Sequence, residues 1–167
     1  NQVNALKIMV NEFAEYARPT KIKKDTVRID SLVDEVIELY EINKMISIKK
    51  EKNIPIIYAD QNKLRQVIIN LIENSQDALK EIKKPKIKIF IKKKVNEVEL
   101  IVEDNGIGIP DEIIGRIFEP YITSKKTGTG LGLAIVHKII EEHDGKIKIE
   151  RISNSGTRVI ITFNSGK

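Results

Sequence analysis

Apolar residues recur every three or four positions in four segments of the chain, which is the spacing of an amphipathic helix. Pro19 ends the first segment, and Pro85 follows the third. Asp30 or Ser31 is expected to cap the second helix, and Asp60 the third. The predicted helices cover residues 3–18, 32–40, 61–82 and 131–142.

Short segments rich in isoleucine and valine predict strands between these helices. They cover residues 27–29, 46–50, 54–58, 87–95, 98–103, 147–152 and 157–163. The fourth and fifth segments, like the last two, are separated by a few turn-forming residues, so each pair predicts a hairpin. The order of elements predicts an α/β (α+β) two-layer sandwich, in which helices cover one face of a mostly antiparallel or mixed sheet.

The bulk composition excludes several kinds of protein. The 167 residues suffice for one domain and a short appendage, and the absence of cysteine excludes disulfides and thiolate chemistry. No apolar run approaches the roughly 20 residues that span a bilayer, so we expect a soluble, intracellular piece of a longer protein. The net charge is +5. Lys86, Lys88 and Lys92 alternate with isoleucine, which predicts a solvated strand face rather than a nucleic-acid surface.

One side of the third helix departs from an ordinary solvent-facing surface. Successive residues of a helix are about 100° apart. One side of this helix therefore carries Leu64, Ile68, Leu71, Ser75 and Leu79, and the opposite side carries Asn70, Glu73, Asn74 and Asp77. Asparagine is a poor helix former, so two of them one turn apart are unusual. Their oxygens beside two carboxylates suit a hard cation such as Mg²⁺. The alternative is a polar surface that contains asparagine by chance.

A second candidate site is the segment Asp104-Asn105-Gly106-Ile107-Gly108-Ile109-Pro110, which directly follows a strand. A carboxylate fixed at a strand end can accept a hydrogen bond from an amino group, and the glycines permit close backbone approach. The alternative is a simple tight turn, because Asn-Gly is a common turn pair. The segment also opens a long stretch, residues 104–129, whose length inside a small domain is typical of a functional or mobile loop.

The third candidate is residues 126–133, with the sequence Lys-Thr-Gly-Thr-Gly-Leu-Gly-Leu, at the start of the fourth helix. Successive backbone N–H groups and the positive end of a helix form a cradle for anions. The spacing differs from that of a P-loop, which ends in Gly-Lys-Ser/Thr, and from the dinucleotide fingerprint Gly-x-Gly-x-x-Gly. The segment therefore indicates phosphate binding of another type.

In this order, the asparagine helix, the Asp104 turn and the glycine loop resemble the ATPase superfamily of gyrase, chaperone, histidine kinase and mismatch-repair proteins. Residues 117–121, Ile-Phe-Glu-Pro-Tyr, resemble the F box of histidine kinases, and Gly156-Thr157 resembles the final glycine box. Residues 11–19 look like the end of the dimerisation hairpin of nitrogen-regulation-type sensor kinases. The resemblance covers about residues 29–163 and implies a Bergerat-type sandwich preceded by one N-terminal helix.

The resemblance also implies roles for individual residues. Asp104 would accept from the adenine amino group, with Thr157 near the same edge. Asn74 would coordinate Mg²⁺ beside the phosphates, and Lys125 would reach them from a mobile lid over residues 111–129. The implied ATP-binding set is Asn70, Asn74, Asp77, Asp104, Gly106, Gly108, Ile109, Phe118, Lys125, Thr129, Gly130, Leu131, Gly132, Leu133 and Thr157, with backbone N–H donors at residues 130–132.

The superfamily contains kinases and hydrolases, and residue 70 helps to distinguish them. Gyrase-like ATPases and anti-sigma-factor serine kinases carry a glutamate base four residues before the metal-binding asparagine, where this chain has Asn70. An amide cannot take that proton, whereas a neutral imidazole is already nucleophilic, so histidine is the expected acceptor. Catalytic roles are expected for Asn70, Glu73 and Lys125. Glu73 lies about 60° further round the helix and is the alternative base.

The chain contains no His-Glu/Asp-x-x-x-Pro acceptor box, and its only histidines, His137 and His143, are expected to be structural or surface residues. We expect a hairpin end over residues 1–19, a linker over 20–26 and a catalytic domain over 27–167 that uses ATP and Mg²⁺. The implied partners are a separate acceptor hairpin, a response regulator and a second copy of the parent, which can be anchored in the inner membrane. Nucleic acid and direct membrane contact are not expected. The alternatives are a stand-alone ATPase, a protein serine kinase, or a non-catalytic nucleotide-sensing module.

Overall fold

The computed structural model describes residues 2–18, 21–39, 45–125, 128–152 and 155–165; Pro19, residue 40, residues 126–127 and the turn residues 153–154, named in the predictions above, lie outside these ranges. The described residues form five helices and seven strands. These are α1 (Gln2–Ala17), β1 (Asp25–Val27), α2 (Ile29–Leu39), β2 (Ile46–Lys50), β3 (Ile57–Ala59), α3 (Gln61–Leu79), β4 (Ile87–Lys94), β5 (Glu97–Asp104), α4 (Asp111–Ile114), α5 (Gly132–Glu142), β6 (Lys146–Arg151) and β7 (Thr157–Asn164).

Five strands form the main sheet in the order β2-β4-β5-β7-β6. β2 pairs with β4 in parallel, and the other described pairings of this sheet are antiparallel. Both predicted hairpins are confirmed, β4 with β5 and β6 with β7. β1 and β3 form a separate two-stranded antiparallel sheet. The main sheet is therefore mixed, as predicted.

Side chains alternate along the strands, so one face of the main sheet is buried beneath the helices and the other, the open face, is more exposed. The central strand β5 is the exception, because Glu99 and Ile101 are buried on the second face as well. On β4, Ile87, Ile89 and Ile91 are fully buried, whereas Lys88 and Lys92 are exposed. The buried isoleucines belong to one hydrophobic core with the apolar stripes of α2, α3 and α5. Helices thus cover one face of the sheet, and the predicted two-layer sandwich is confirmed.

The open face carries its basic residues beside acidic ones. Lys88 is paired in register with Glu103 of β5, which accepts a hydrogen bond of 2.6 Å from Arg158 Nε of β7. On β6, Lys148 lies 2.7 Å from the carboxylate of Glu150. Lys86, Lys88 and Lys92 are exposed, so the predicted solvation of these lysines is confirmed.

The first strand and the second helix begin earlier than predicted. β1 spans Asp25–Val27 rather than residues 27–29, and Ile29 is the first residue of α2. Ile29 is fully buried in the core, so the helix starts where its apolar side chain can pack. Asp30 consequently lies in the first turn of α2, and the prediction that it or Ser31 caps this helix is wrong.

Two other elements are shorter than predicted. β3 begins at Ile57 rather than at residue 54, because Pro55 has no N–H to donate to a strand ladder. α3 ends at Leu79 rather than at residue 82. Neither change moves the polar side of α3.

Asp60 links the start of α3 to the end of α5. Its Oδ1 accepts hydrogen bonds from the backbone N–H groups of Asn62 (3.0 Å) and Lys63 (3.2 Å), so the predicted cap is confirmed. Its own N–H donates to Nε2 of buried His143 (2.9 Å), whose Nδ1 lies 2.7 Å from the carbonyl oxygen of Ile139. Nε2 therefore acts as the acceptor and Nδ1 carries the proton. The contact joins the start of α3 to the end of α5, so the two helices run antiparallel.

The end of α1 is bonded to the rest of the molecule. Lys138 of α5 donates from Nζ to the carbonyl oxygens of Tyr16 (2.6 Å) and Arg18 (3.2 Å). A positive charge is favourable there because the last carbonyls of a helix carry partial negative charge. In the following segment, the N–H of Lys23 donates to Asp60 Oδ2 at 3.0 Å. Residues expected to form a linker thus contact the same residue that caps α3.

α1 is the predicted N-terminal helix, and its apolar stripe faces solvent. Val3, Leu6, Val10 and Phe13 are all at least half exposed. Within the described ranges, no helix combines the length and the apolar character that crossing a membrane requires.

The central position of β5 predicts a large effect of removing a buried side chain there. Leu100→Ala should lower the free energy of unfolding by about 2–5 kcal/mol, because Leu100 is 1% exposed and its truncation leaves a cavity. Val95→Ala, at a position 89% exposed, is the control and should change it by no more than about 0.5 kcal/mol. Urea denaturation measures both, and equal losses would contradict the described core.

Candidate functional site

A cavity of about 320 Å³ opens beside the polar side of α3, and it is bounded by the start of α5, strands β5 to β7 and the segments 107–125 and 128–130. Most of the residues that the sequence nominated line it. They are Asn70, Glu73, Asn74, Asp77, Asp104, Gly108, Ile109, Lys125, Thr129, Gly130, Gly132, Leu133 and Thr157. The structure thus brings the asparagine helix, the Asp104 turn and the glycine loop to one place.

Asp104 forms one end of the cavity as the last residue of β5. Its Oδ1 accepts hydrogen bonds from the backbone N–H groups of Gly106 (2.9 Å) and Thr157 (3.3 Å). Its Oδ2 receives the hydroxyl of Ser75 at 3.4 Å, a long contact that leaves this oxygen able to accept another donor. Burial raises the pKa of this carboxyl, although the two N–H groups and the hydroxyl act in the opposite direction.

Two glycines allow the backbone to close around Asp104. Gly156 has φ of +109°, and a Cβ there would lie 2.1 Å from the carbonyl oxygen of Asp104. A Cβ on Gly106 would lie 2.7 Å from both Cβ and the carbonyl oxygen of Ala78 on α3. Any side chain at either position would push the turn away from the strand end or from the helix.

Lys125 also lines the cavity and contacts α3. Its Nζ donates to Asn74 Oδ1 (2.9 Å) and to Asp77 Oδ2 (2.8 Å), and Lys80 Nζ lies 2.8 Å from Asp77 Oδ1. Burial acts to raise the pKa of Asp77, but the hydrogen bonds and charges of Lys125 and Lys80 outweigh it and lower this pKa. Asp77 is therefore held as a carboxylate between two ammonium groups.

The oxygens that accept hydrogen bonds from Lys125 Nζ are ligands of the kind that a divalent ion prefers. In the described part of the chain, no group of three or more His, Asp or Glu side chains converges on a point. The oxygens at hand are one amide and one carboxylate, both already directed at a cation. Hard oxygen ligands of this type suit Mg²⁺, which usually completes its shell with water and substrate phosphates.

The glycine loop turns sharply before α5 and leaves the start of that helix open. Gly130 has φ of +71°, and a Cβ there would lie 2.5 Å from the carbonyl carbon of Tyr121. Gly132 is the first residue of α5, and a Cβ there would lie 3.2 Å from Asn70 Oδ1. Leu131, at the N-cap position, makes no side-chain hydrogen bond to the helix. The N–H groups of the first turn are thus available to an anion.

Asn70 and Glu73 occupy different parts of the wall. Asn70 Nδ2 donates to the carbonyl oxygen of Gln66 at 3.1 Å, which leaves its oxygen towards Gly132. Glu73 is exposed and reaches the cavity from its open side. The amide is fixed at the glycine loop, and the carboxylate lies nearer to solvent.

Three nominated residues, Gly106, Phe118 and Leu131, are not among those that line the described cavity. Phe118 stacks on His137 of α5, with ring centroids 4.7 Å apart. The side chain of Leu131 is fully buried, and its N–H donates to Thr129 Oγ1 at 3.3 Å. Gly106 supports Asp104. The described contact of Phe118 packs residues 111–125 against α5, and its contact with nucleotide stays a prediction.

Two residues that the sequence did not nominate support the site. Ser75 contacts Asp104, and the signal for it was a polar residue in an apolar helical stripe. Arg151 donates from Nε and Nη2 to the carbonyl oxygen of Ile109 (2.8 and 2.6 Å) and from Nη1 to Asp111 Oδ1 (2.5 Å). Nothing in the local pattern around Arg151 indicated this contact, which joins β6 to a segment far away in sequence.

The profile of the family described as histidine kinase-, DNA gyrase B-, and HSP90-like ATPase matches residues 59–167. Sporulation kinase A of Bacillus subtilis is 32% identical over 98% of this chain and 28% of its own length. An NtrY-like sensor histidine kinase of Rickettsia conorii is 34% identical over 96% of this chain and 27% of its own length. The chain spans less than a third of either relative.

Solved structures give the same result. The nucleotide-free catalytic domain of histidine kinase ThkA is 34% identical and superimposes with a TM-score of 0.76, covering 86% of this chain and 96% of that one. ThkA in complex with response regulator protein TrrA superimposes with a TM-score of 0.83 and 31% identity, over 99% of this chain and 49% of that one.

The buried carboxylate predicts a pH-dependent stability difference. Since the folded pKa of Asp104 is raised above its ordinary value of 3.8, the wild type loses stability as pH rises through that folded pKa. Asp104→Asn keeps an acceptor for the N–H groups of Gly106 and Thr157 without a charge. We expect the variant to be the more stable protein at pH 7, with a difference that shrinks towards pH 4. Urea denaturation across this range measures it, and a less stable variant at pH 7 would contradict the assignment.

Proposed function

Because the chain belongs to the family of histidine kinase-, DNA gyrase B- and HSP90-like ATPases, as a catalytic domain of its sensor histidine kinase branch, we propose that it binds ATP with Mg²⁺ and presents the γ-phosphate to a histidine outside this fragment. One observation carries the proposal. Buried Asp104 and the open N-terminus of α5 lie in the same cavity. These two ends match the two chemical parts of a nucleotide, an amino-purine and an anionic tail.

The purine is assigned to the Asp104 end. Oδ1 of Asp104 is taken by two backbone N–H groups, so Oδ2 remains to accept from an exocyclic amino group. Thr157 lies at the same edge, and Ile149 and Val159 offer apolar contact in the same cavity. A buried acceptor that fits an amino group discriminates strongly against a base with an oxygen there, because the carboxylate would be left unpaired.

The phosphates are assigned to the end formed by Lys125 and the glycine loop. Mg²⁺ would be held by Asn74, with Asn70 close by, and would neutralise charge on the phosphate oxygens when bound. The backbone N–H groups around Gly130 and Gly132 orient the anionic tail, and Lys125 adds a positive charge. Positioning and charge neutralisation are the contributions that these residues make to transfer.

Residue 70 favours histidine over water as the acceptor. Asn70 is fixed by its bond to Gln66 and cannot accept a proton from a nucleophile. A neutral imidazole nitrogen attacks phosphorus without a base, because its lone pair is already free. The site therefore suits transfer to a histidine and lacks the fixed base that hydrolysis needs at this position.

Neither histidine of this chain is suited to be that acceptor. Both ring nitrogens of His143 are engaged, one by the N–H of Asp60 and one by the carbonyl of Ile139. His137 is stacked on Phe118, and its Nδ1 lies 3.4 Å from Glu141. The acceptor is assigned to a hairpin of the parent protein, of which α1 is the nearest part.

The activity of the whole parent is part of the proposal, since the chain spans less than a third of its relatives. We propose a homodimeric parent whose hairpin carries the acceptor histidine and whose phosphoryl group passes to a response regulator. The complex of ThkA with TrrA supports a partner of this kind. ATP and such regulators are cytoplasmic, so we assign the domain to the cytoplasm, whether or not the parent is anchored in the inner membrane.

Two other functions use the same cavity. A stand-alone ATPase or protein serine kinase would need a base, for which Glu73 is the candidate. A nucleotide-sensing module would bind without transfer. The relative from Rickettsia conorii is named as a sensor histidine kinase, and the superimposed catalytic domain as that of a histidine kinase, which favours histidine transfer over both.

Asp104→Asn tests the purine assignment. In the variant, Oδ1 of the asparagine would keep the hydrogen bonds from the two backbone N–H groups. Its Nδ2 would then face the purine amino group, so a donor replaces the acceptor there. We expect ADP affinity to fall about ten- to 150-fold, the value of a lost hydrogen bond to a charged group of about 1.5–3 kcal/mol. Calorimetry measures it, with Asp144→Asn on the exposed turn after α5 as the control. Unchanged affinity would refute the role of Asp104.

A transfer assay separates the three functions. The chain is mixed with γ-labelled ATP and a separate hairpin domain that bears an acceptor histidine, with a histidine-to-glutamine hairpin as the control. We expect label on the first hairpin only, and slower labelling with Asp104→Asn when ATP is below saturation. Steady phosphate release by the chain alone, abolished by Glu73→Gln, would favour an ATPase. Tight ADP binding without label on cognate hairpins would favour a sensor.

A further inference from the structure

The contacts of Lys125 carry an inference beyond phosphate binding. Its ammonium nitrogen lies 2.9 Å from Asn74 Oδ1 and 2.8 Å from Asp77 Oδ2. We call these two oxygens the cation seat. Asn74 is the residue assigned to the metal, so the side chain expected to bind phosphate instead occupies the oxygens expected to bind Mg²⁺.

An ammonium group and a divalent ion cannot occupy the cation seat together. Mg²⁺ binds oxygen at about 2.0–2.1 Å, and a second cation within the same few ångströms would be repelled strongly in a partly buried site. Asp77 remains a carboxylate here because Lys125 and Lys80 each bind one of its oxygens. The seat is thus charged and already shaped for a cation before any nucleotide arrives.

The same contact fastens the loop over the cavity. Lys125 lies in the predicted lid, and its two hydrogen bonds join that segment to α3 across about fifty residues of sequence. Side-chain bonds to a charged partner are the stronger class of hydrogen bond. Breaking them would release this end of the segment.

We propose that Lys125 fills the cation seat of Asn74 and Asp77 in the nucleotide-free domain, and that the divalent ion arriving with ATP displaces it. The displaced ammonium is then free to bind the phosphates, and the segment that carries it is released from α3. The inference rests on the proposed function for the identity of the nucleotide. It adds Asp77 to the metal site and makes Lys125 and the metal competitors.

Binding of Mn²⁺ alone to the nucleotide-free chain tests the competition, with water-proton relaxation or electron paramagnetic resonance as the readout. Lys125→Met vacates the cation seat and should tighten Mn²⁺ binding about ten-fold, if Lys125 fills the seat in about nine molecules of ten. Asp77→Asn in the Lys125→Met background should abolish the gain. Equal Mn²⁺ affinity of Lys125→Met and the wild type would overturn the proposal.

Lys80→Met is the matched control, because Lys80 also binds Asp77 but does not touch Asn74 or the lid. Removing either lysine subtracts one positive charge near the same carboxylate. If Lys125 acts only through long-range charge, both variants should gain Mn²⁺ affinity equally, and that result would also overturn the proposal. A gain confined mainly to Lys125→Met supports displacement from the seat.

Hydrogen exchange gives a readout that is independent of metal affinity. In the nucleotide-free chain, Lys125→Met should speed exchange of the backbone amides of residues 115–125, whereas Lys80→Met should leave them unchanged. Slow exchange in both variants would contradict the tie between lid and α3. ADP calorimetry on the wild type separates the proposed function from the displacement of Lys125. The absence of ADP binding would contradict the proposed function. ADP binding together with equal Mn²⁺ affinity of Lys125→Met and the wild type would contradict only the displacement.

Discussion

The antiparallel packing of α3 against α5 is the constraint on which the site depends. At one end, the N–H of Asp60 binds a histidine nitrogen at the end of α5. At the other end, α5 begins close to Asn70, because Gly132 has no side chain; a Cβ there would lie 3.2 Å from Asn70 Oδ1. The asparagine side of one helix and the open N-terminus of the other can form one wall because both ends of the helix pair are fixed. His143, far from the cavity, thereby contributes to its shape.

Asp104 is a carboxylate that the fold buries, although hydration by water is the more favourable environment for its charge. Burying a carboxylate is unfavourable unless its oxygens are hydrogen-bonded. Two backbone N–H groups supply those bonds, and they can do so only because Gly106 and Gly156 let the chain approach closely. Those glycines lie in separate motifs of the sequence, and the strand end is where they meet. The residue assigned to purine recognition, Asp104, is thus also one whose burial lowers the stability of the fold at neutral pH.

Much of the fold and site could be predicted because each element has its own local cause. The cap at Asp60, the stripes of the helices and the two hairpins follow from spacing and turn chemistry alone. The convergence of the nominated residues could be predicted because the three motifs occur in the order that the superfamily has, and each has its own physical explanation. The contacts of Arg151 with Ile109, of Lys138 with Tyr16 and of Phe118 with His137 could not be predicted, since each depends on where distant segments meet. The early start of α2 follows from the burial of Ile29, which no local rule indicates.

The bond from Arg151 to Ile109 has a thermodynamic consequence for the segment that follows it. At its other end, the N–H of Tyr121 donates to the carbonyl oxygen of Gly130 at 3.0 Å. The chain between these two anchors is a loop whose ends are already held, and closing a loop costs conformational entropy that grows with its free length. That entropy is lost when the protein folds, so it is not subtracted again from the affinity for a ligand. Preorganisation of this kind means that a ligand binds to a cavity whose wall is already ordered.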